Sequence, residues 1–181
     1  MKLACALLLS LACASAHAQW TDKAGNRIPE SDDQKSNGRF IAQLIFVTDD
    51  QAFFEKWATP SESVYITSVS EVEINRPISS FVIFGGCQPD QNRNCNVTMQ
   101  FKVTQPDGKV YAETLPMEVW RGRAAPPEWG LEASVDYLKI IVEPDEQRGI
   151  YTVMVTVTDQ TSGKTIVLKK QFSATDGKRE T

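Results

Sequence analysis

The chain has 181 residues, 19 basic against 23 acidic, a formal net charge of −4, and 41% hydrophobic content. That length fits one domain with a proper core and short terminal segments. No basic block occurs, which argues against nucleic acid as a partner.

Met1-Lys2, a mostly apolar run from Leu3 to Ala14, and the small-residue site Ala16-His17-Ala18 read as a secretory signal peptide over residues 1–18. Cleavage would start the mature chain at Gln19 and remove Lys2, Cys5, Cys13 and His17, the single histidine. The mature chain would then hold 163 residues, 18 basic and 23 acidic, with Cys87 and Cys95 as its only cysteines. Ser10 stands where a lipobox before Cys13 would carry Leu, which argues against a lipoprotein. No later apolar run approaches the roughly 18 residues that cross a membrane. The expected location is periplasmic or secreted.

Residues 19–38 are polar and carry Gly25, Pro29, Asp32, Asp33, Asn37 and Gly38 in close order, which predicts a flexible leader. Trp20 and Ile28 are its large apolar groups, each able to dock on the domain. Phe40 to Val47 and Phe81 to Phe84 are continuous apolar runs, expected of central strands covered on both faces. Between them, Asp50 to Trp57 has a cap in Asp49 or Asp50, aromatics at helical spacing and a stop at Thr59-Pro60, which predicts one short helix. Val64 to Thr67, Val72 to Ile74 and Met117 to Trp120 are shorter strand candidates.

Cys87 and Cys95 enclose only polar residues and Pro89, and two cysteines in an oxidising compartment usually pair. The expectation is a structural disulfide stapling the base of a hairpin tip. Asp90, Asn92 and Asn94 inside it resemble the start of a calcium loop, but Cys95 and Phe101 stand where that loop needs Gly and Glu. A metal site is not expected.

Val97, Met99, Phe101 and Val103 alternate with polar residues, and Gln105-Pro106-Asp107-Gly108 turns the chain back through Lys109 to Glu113. Leu138, Ile140 and Val142 form another strand, closed by Pro144-Asp145. Tyr151, Val153, Val155 and Val157 alternate in the same way, a turn follows from Asp159 to Gly163, and Ile166, Leu168 and Phe172 give a last inward face. Residues 175–181 form a polar tail. Eight to ten short strands with turn residues between them predict an all-β sandwich over residues 39–174.

Pro144 through Gly149-Ile150-Tyr151 into Val153, Val155 and Val157 resembles the last strands of an immunoglobulin-like domain. That resemblance gives Tyr151 the structural role of a corner tyrosine. The whole mature chain is also similar to a group of small exported proteobacterial proteins. They share a tryptophan-bearing polar leader, a segment like Phe54-Glu55-Lys56-Trp57-Ala58-Thr59-Pro60, a strand ending in Cys and a Pro-Asp-Gly hairpin. This similarity implies fold and compartment, and lends no functional residue.

Without histidine in the mature chain, Ser-His-Asp and Cys-His arrangements are excluded. No Gly-x-Ser-x-Gly or Ser-x-x-Lys motif occurs, Ser61-Glu62-Ser63 reads as a turn, and no spacing selects a glycosidase carboxylate pair. No catalytic residue and no cofactor are expected. The surface candidate is Trp120, Arg121, Arg123, Pro126, Pro127 and Trp129: two prolines favour an extended path, and Trp and Arg are enriched at binding hot spots. The leading expectation is a non-enzymatic module that binds an envelope protein through this loop or an exposed edge strand. The alternative is a glycan-binding module that stacks sugars on Trp120 or Trp129.

Overall fold

The computed structural model describes residues 20, 24, 26–59, 66–128 and 130–177. The expected signal peptide, Ser61 to Ser63, Trp129 and the last four residues of the tail lie outside the described residues. The described chain forms eleven strands and one helix: β1 Gln34–Asn37, β2 Phe40–Val47, α1 Asp50–Ala58, β3 Glu71–Glu73, β4 Pro77–Gly85, β5 Asn94–Thr104, β6 Val110–Glu113, β7 Met117–Ala124, β8 Glu132–Ala133, β9 Leu138–Ile141, β10 Gly149–Asp159 and β11 Thr165–Thr175. The first sheet runs β1-β2-β4, with β8 and β9 both on the far side of β4. The second runs β3-β11-β10-β5, with β6 and β7 both beyond β5.

The arrangement is immunoglobulin-like. The terminal hairpin β10–β11 pairs through β10 with β5, and β3 lies parallel to the end of β11. Tyr151, at the start of β10, is fully buried and donates its hydroxyl hydrogen to the Gln147 carbonyl at 2.8 Å, the corner bond of such folds. Its ring stacks on Phe172.

Alternation builds the core. Val97, Met99, Phe101 and Val103 of β5 and Tyr151, Val153, Val155 and Val157 of β10 face Phe40, Ala42, Leu44 and Phe46 of β2 and Ile78, Val82 and Phe84 of β4. The first sheet is also covered outside. Ile45, Val47, Phe81 and Ile83 point the other way and pack with Phe53 of α1, which explains why β2 and β4 carry apolar runs without alternation. Asp49 caps α1 by accepting the Ala52 N–H at 2.9 Å, while Asp50 is bound by Ser79, Tyr137 and Lys139.

Three expectations need correction. First, the leader is not wholly flexible: Trp20 is buried with its indole N–H on the Lys35 carbonyl (3.3 Å), and β1 pairs with β2 through a tight turn at Gly38-Arg39. Gly38 has φ 68°, the left-handed value such a turn needs. Second, residues 66 and 67 form no strand. Third, Cys87 and Cys95 do not staple a hairpin. β4 and β5 belong to different sheets, so their 2.05 Å S–S bond ties one sheet to the other.

The sandwich sides are stitched. Along β11, Asn37 Nδ2 donates to the Thr165 carbonyl, Lys35 to that of Val167, the Lys169 N–H to the Asp32 carbonyl, and Lys170 pairs with Asp33. On the other side, Ser134 N–H reaches the Val82 carbonyl of β4 while Val135 and Asp136 N–H reach Val119 and Glu118 of β7. The free stretch of β11 and the β7 edge, which could otherwise accept an added strand, are thus partly occupied.

Candidate binding cleft

At one end of the sandwich four segments meet around a cleft of about 350 Å³. The first is the β1–β2 turn, which presents Arg39. The second leaves β4 through Gly86, Cys87, Gln88 and Pro89. Gly86 has φ 64°, and a Cβ there would collide with the Arg39 carbonyl, so the first two segments are in close contact. The third follows β7 as Ala125-Pro126-Pro127-Glu128, held by Ala125 N–H on the Arg93 carbonyl (3.0 Å) and Gly130 N–H on the Pro127 carbonyl (2.8 Å). The fourth is the β10–β11 turn, with Asp159, Ser162 and Lys164.

Asp159 fixes two of these walls together. It is 1% exposed, yet its carboxylate accepts the Gln88 N–H at 2.8 Å, the Thr161 N–H at 3.1 Å and the Ser162 hydroxyl at 2.5 Å. A buried carboxylate with these donors is satisfied, and it clamps the segment after β4 to the β10–β11 turn. Asp90 does similar local work: one oxygen accepts the N–H groups of Asn92 and Asn94. Its carboxylate therefore orders the turn. Among the described residues no group of three His, Cys, Asp or Glu side chains is placed to hold a metal ion.

The charges at the mouth are arranged simply. Arg39 meets Glu128 across the cleft at 3.1 Å, both side chains more than half exposed. Lys164 is half-buried, and its ammonium lies against Gly38, 2.5 Å from where a Cβ would stand. Among the described residues it has no ion-pair partner. Ile41, Pro89, Pro126, Pro127 and Cys87 supply the apolar walls.

Of the residues singled out in the sequence, Pro126 and Pro127 line this cleft, and Trp120, Arg121 and Arg123 do not. Trp120 is half-buried on β7: its ring lies against Phe84 (5.8 Å between centroids), the Arg123 guanidinium sits over it at 5.0 Å, and its indole N–H is bonded to the Ala124 carbonyl. Arg121 is paired with Glu118 at 2.8 Å. A ring so engaged is not an open platform for a sugar, so the glycan alternative gains nothing from Trp120.

No family model matches the chain, and no curated protein sequence matches it. Solved structures resemble it at low identity. One is a family 123 glycoside hydrolase from Clostridium perfringens, with TM-score 0.41 and 10% identity over 77% of this chain. This chain spans 28% of that enzyme's length. Another is a Niemann-Pick type C2 protein from the Japanese carpenter ant, with TM-score 0.37 and 11% identity, covering 73% of this chain and 89% of that one. A third is an immunoglobulin-like protein from Pseudomonas aeruginosa, with TM-score 0.31 and 18% identity, covering 64% and 85%. Such likeness carries no functional argument; the fold assignment rests on the strand pairing above. The similarity to exported proteobacterial proteins is thus left with no matching sequence behind it.

Proposed function

We propose that this protein is an exported, non-enzymatic binding module that engages another cell-envelope protein through the cleft between Arg39, Pro127 and Lys164. The observation that carries the reading is the cleft itself. A concave, partly apolar site with a few placed polar groups is the usual form of a recognition site. The stitched edges favour the cleft over strand addition as the mode of contact. Export is supported by the signal-like start of the chain and by the intersheet disulfide, which suits an oxidising compartment. Among the described residues no helix is long and apolar enough to cross a membrane.

The test is site-specific photocrosslinking in the native envelope. A crosslinking residue is placed at Pro127 or, as control, at Met154 on the outer face of β10. A discrete protein adduct from position 127 and none from 154 supports the reading. No adduct from 127, or identical adducts from both, overturns it.

A further inference from the structure

Within that binding reading, we infer that the cleft seats an acidic side chain carried on a short extended segment of the partner, with Lys164 as its first cation and Arg39 recruited from Glu128. Three observations point there.

Lys164 is a half-buried lysine on the cleft wall with no acidic partner among the described residues. Its ammonium rests against Gly38, so a carboxylate entering the cleft meets the charge at its wall. Arg39 follows Gly38 directly, so the Lys164 ammonium, from the β10–β11 turn, lies beside the β1–β2 turn that carries Arg39.

The chain also shows which group suits Arg39. Glu128, delivered by the extended Pro126-Pro127 segment, already sits on that guanidinium at 3.1 Å. An exposed pair of this kind contributes little to stability. It is therefore a replaceable, tethered carboxylate rather than a fixed strut. Removing its charge would free Arg39 for an external acid.

The walls select the carrier. Ile41, Pro89, Pro126 and Pro127 are apolar and nearly inflexible, and a volume near 350 Å³ admits a few residues of extended chain but no folded element. Asp159 keeps its negative charge, but both of its oxygens are turned to donors in the walls rather than presented bare to the ligand.

The probes are acetyl-Pro-Pro-Glu-amide, which has the composition of the segment already lying on this wall, and its Gln counterpart. Each is titrated against the isotopically labelled mature protein while backbone amide shifts are followed. The Glu peptide should move the amides of Gly86, Gln88 and Lys164. Glu128→Gln should tighten binding roughly three- to fivefold and Lys164→Ala should weaken it by a similar factor, the range expected for one solvent-exposed ion pair. Lys169→Ala, on the outer face of β11, should change nothing. The inference is overturned if the Gln peptide binds as well as the Glu peptide, if Lys164→Ala binds like wild type with an otherwise unchanged amide spectrum, or if the cleft amides do not move even in Glu128→Gln. The crosslink at position 127 does not depend on ligand charge. If it persists while these titrations fail, the binding reading stands and the acidic ligand falls.

Discussion

Cys87 lies two residues past the end of β4 in one sheet, Cys95 is the second residue of β5 in the other, and the bond between them spans Cα atoms 6.1 Å apart. It closes a short loop whose polar residues would otherwise let the two sheet ends separate. Replacing both cysteines by alanine should lower unfolding free energy by about 2–3 kcal/mol on the chain-entropy estimate. Urea midpoints of the double variant and of reduced wild type check this. A loss below about 0.5 kcal/mol in both would show that the Asp159 clamp alone holds the two sheet ends together.

Tyr151 combines a buried ring with one hydrogen bond from its hydroxyl to the Gln147 carbonyl. Tyr151→Phe keeps the stacking on Phe172 and the edge contact with Tyr111 and removes only that bond. The expected loss is about 1 kcal/mol, within the 0.5–1.5 kcal/mol of an ordinary hydrogen bond. Tyr151→Ala should cost about 3–5 kcal/mol, because it also leaves a cavity. Chemical denaturation of the two variants separates the terms.

The strands legible in the sequence are those whose burial is one-sided. β5, β10 and β11 alternate because one face meets the core and the other meets water. β1 was not legible: Gln34-Lys35-Ser36-Asn37 has no apolar member, and its strand state comes from pairing with β2 and from Asp33 and Asn37 reaching β11, contacts more than a hundred residues away in sequence. The Asn37-Gly38 dipeptide ahead of an apolar run was the available turn signal. The cysteines illustrate a different limit. Loop composition announces a turn, but only tertiary pairing decides that the flanking strands belong to opposite sheets. The cleft was half legible. Pro126 and Pro127 stood out by composition, whereas Arg39 and Lys164 are ordinary charged residues until folding brings their turns together.

Asp50 gives a pH dependence with a definite sign. Partial burial opposes its charge, but hydrogen bonds from Lys139, Ser79 and Tyr137, with the Lys139 charge, outweigh that and hold its carboxyl below the usual 3.8. A group depressed on folding contributes stability that is fully present above its unfolded pKa and is lost as the pH falls through its folded pKa. The contribution of Asp50 is thus present at neutral pH and fades below about pH 3.8. Asp50→Asn should be less stable than wild type at pH 7, with the difference shrinking at pH 2–3. Urea midpoints at both values check this, and a difference that grows on acidification would reverse the assignment.

Ser80 lies in the middle of β4 on the same face as Ile78 and Val82, fully buried, and among the described residues its hydroxyl oxygen has no hydrogen-bond partner. A buried hydroxyl without a partner keeps its desolvation cost and gains nothing in return. Ser80→Ala removes that group with almost no change in volume, so stability should stay level or rise by up to about 1 kcal/mol. Ser134 provides the contrast. It is equally buried, but its oxygen accepts the Val82 N–H at 3.2 Å, and Ser134→Ala would leave that amide unpaired. That change should cost about 1–3 kcal/mol. Thermal melts of the two variants side by side should therefore show Ser134→Ala falling below wild type and Ser80→Ala level with it or above, and a Ser80→Ala loss as large as that of Ser134→Ala would mean that the Ser80 hydroxyl is bonded after all.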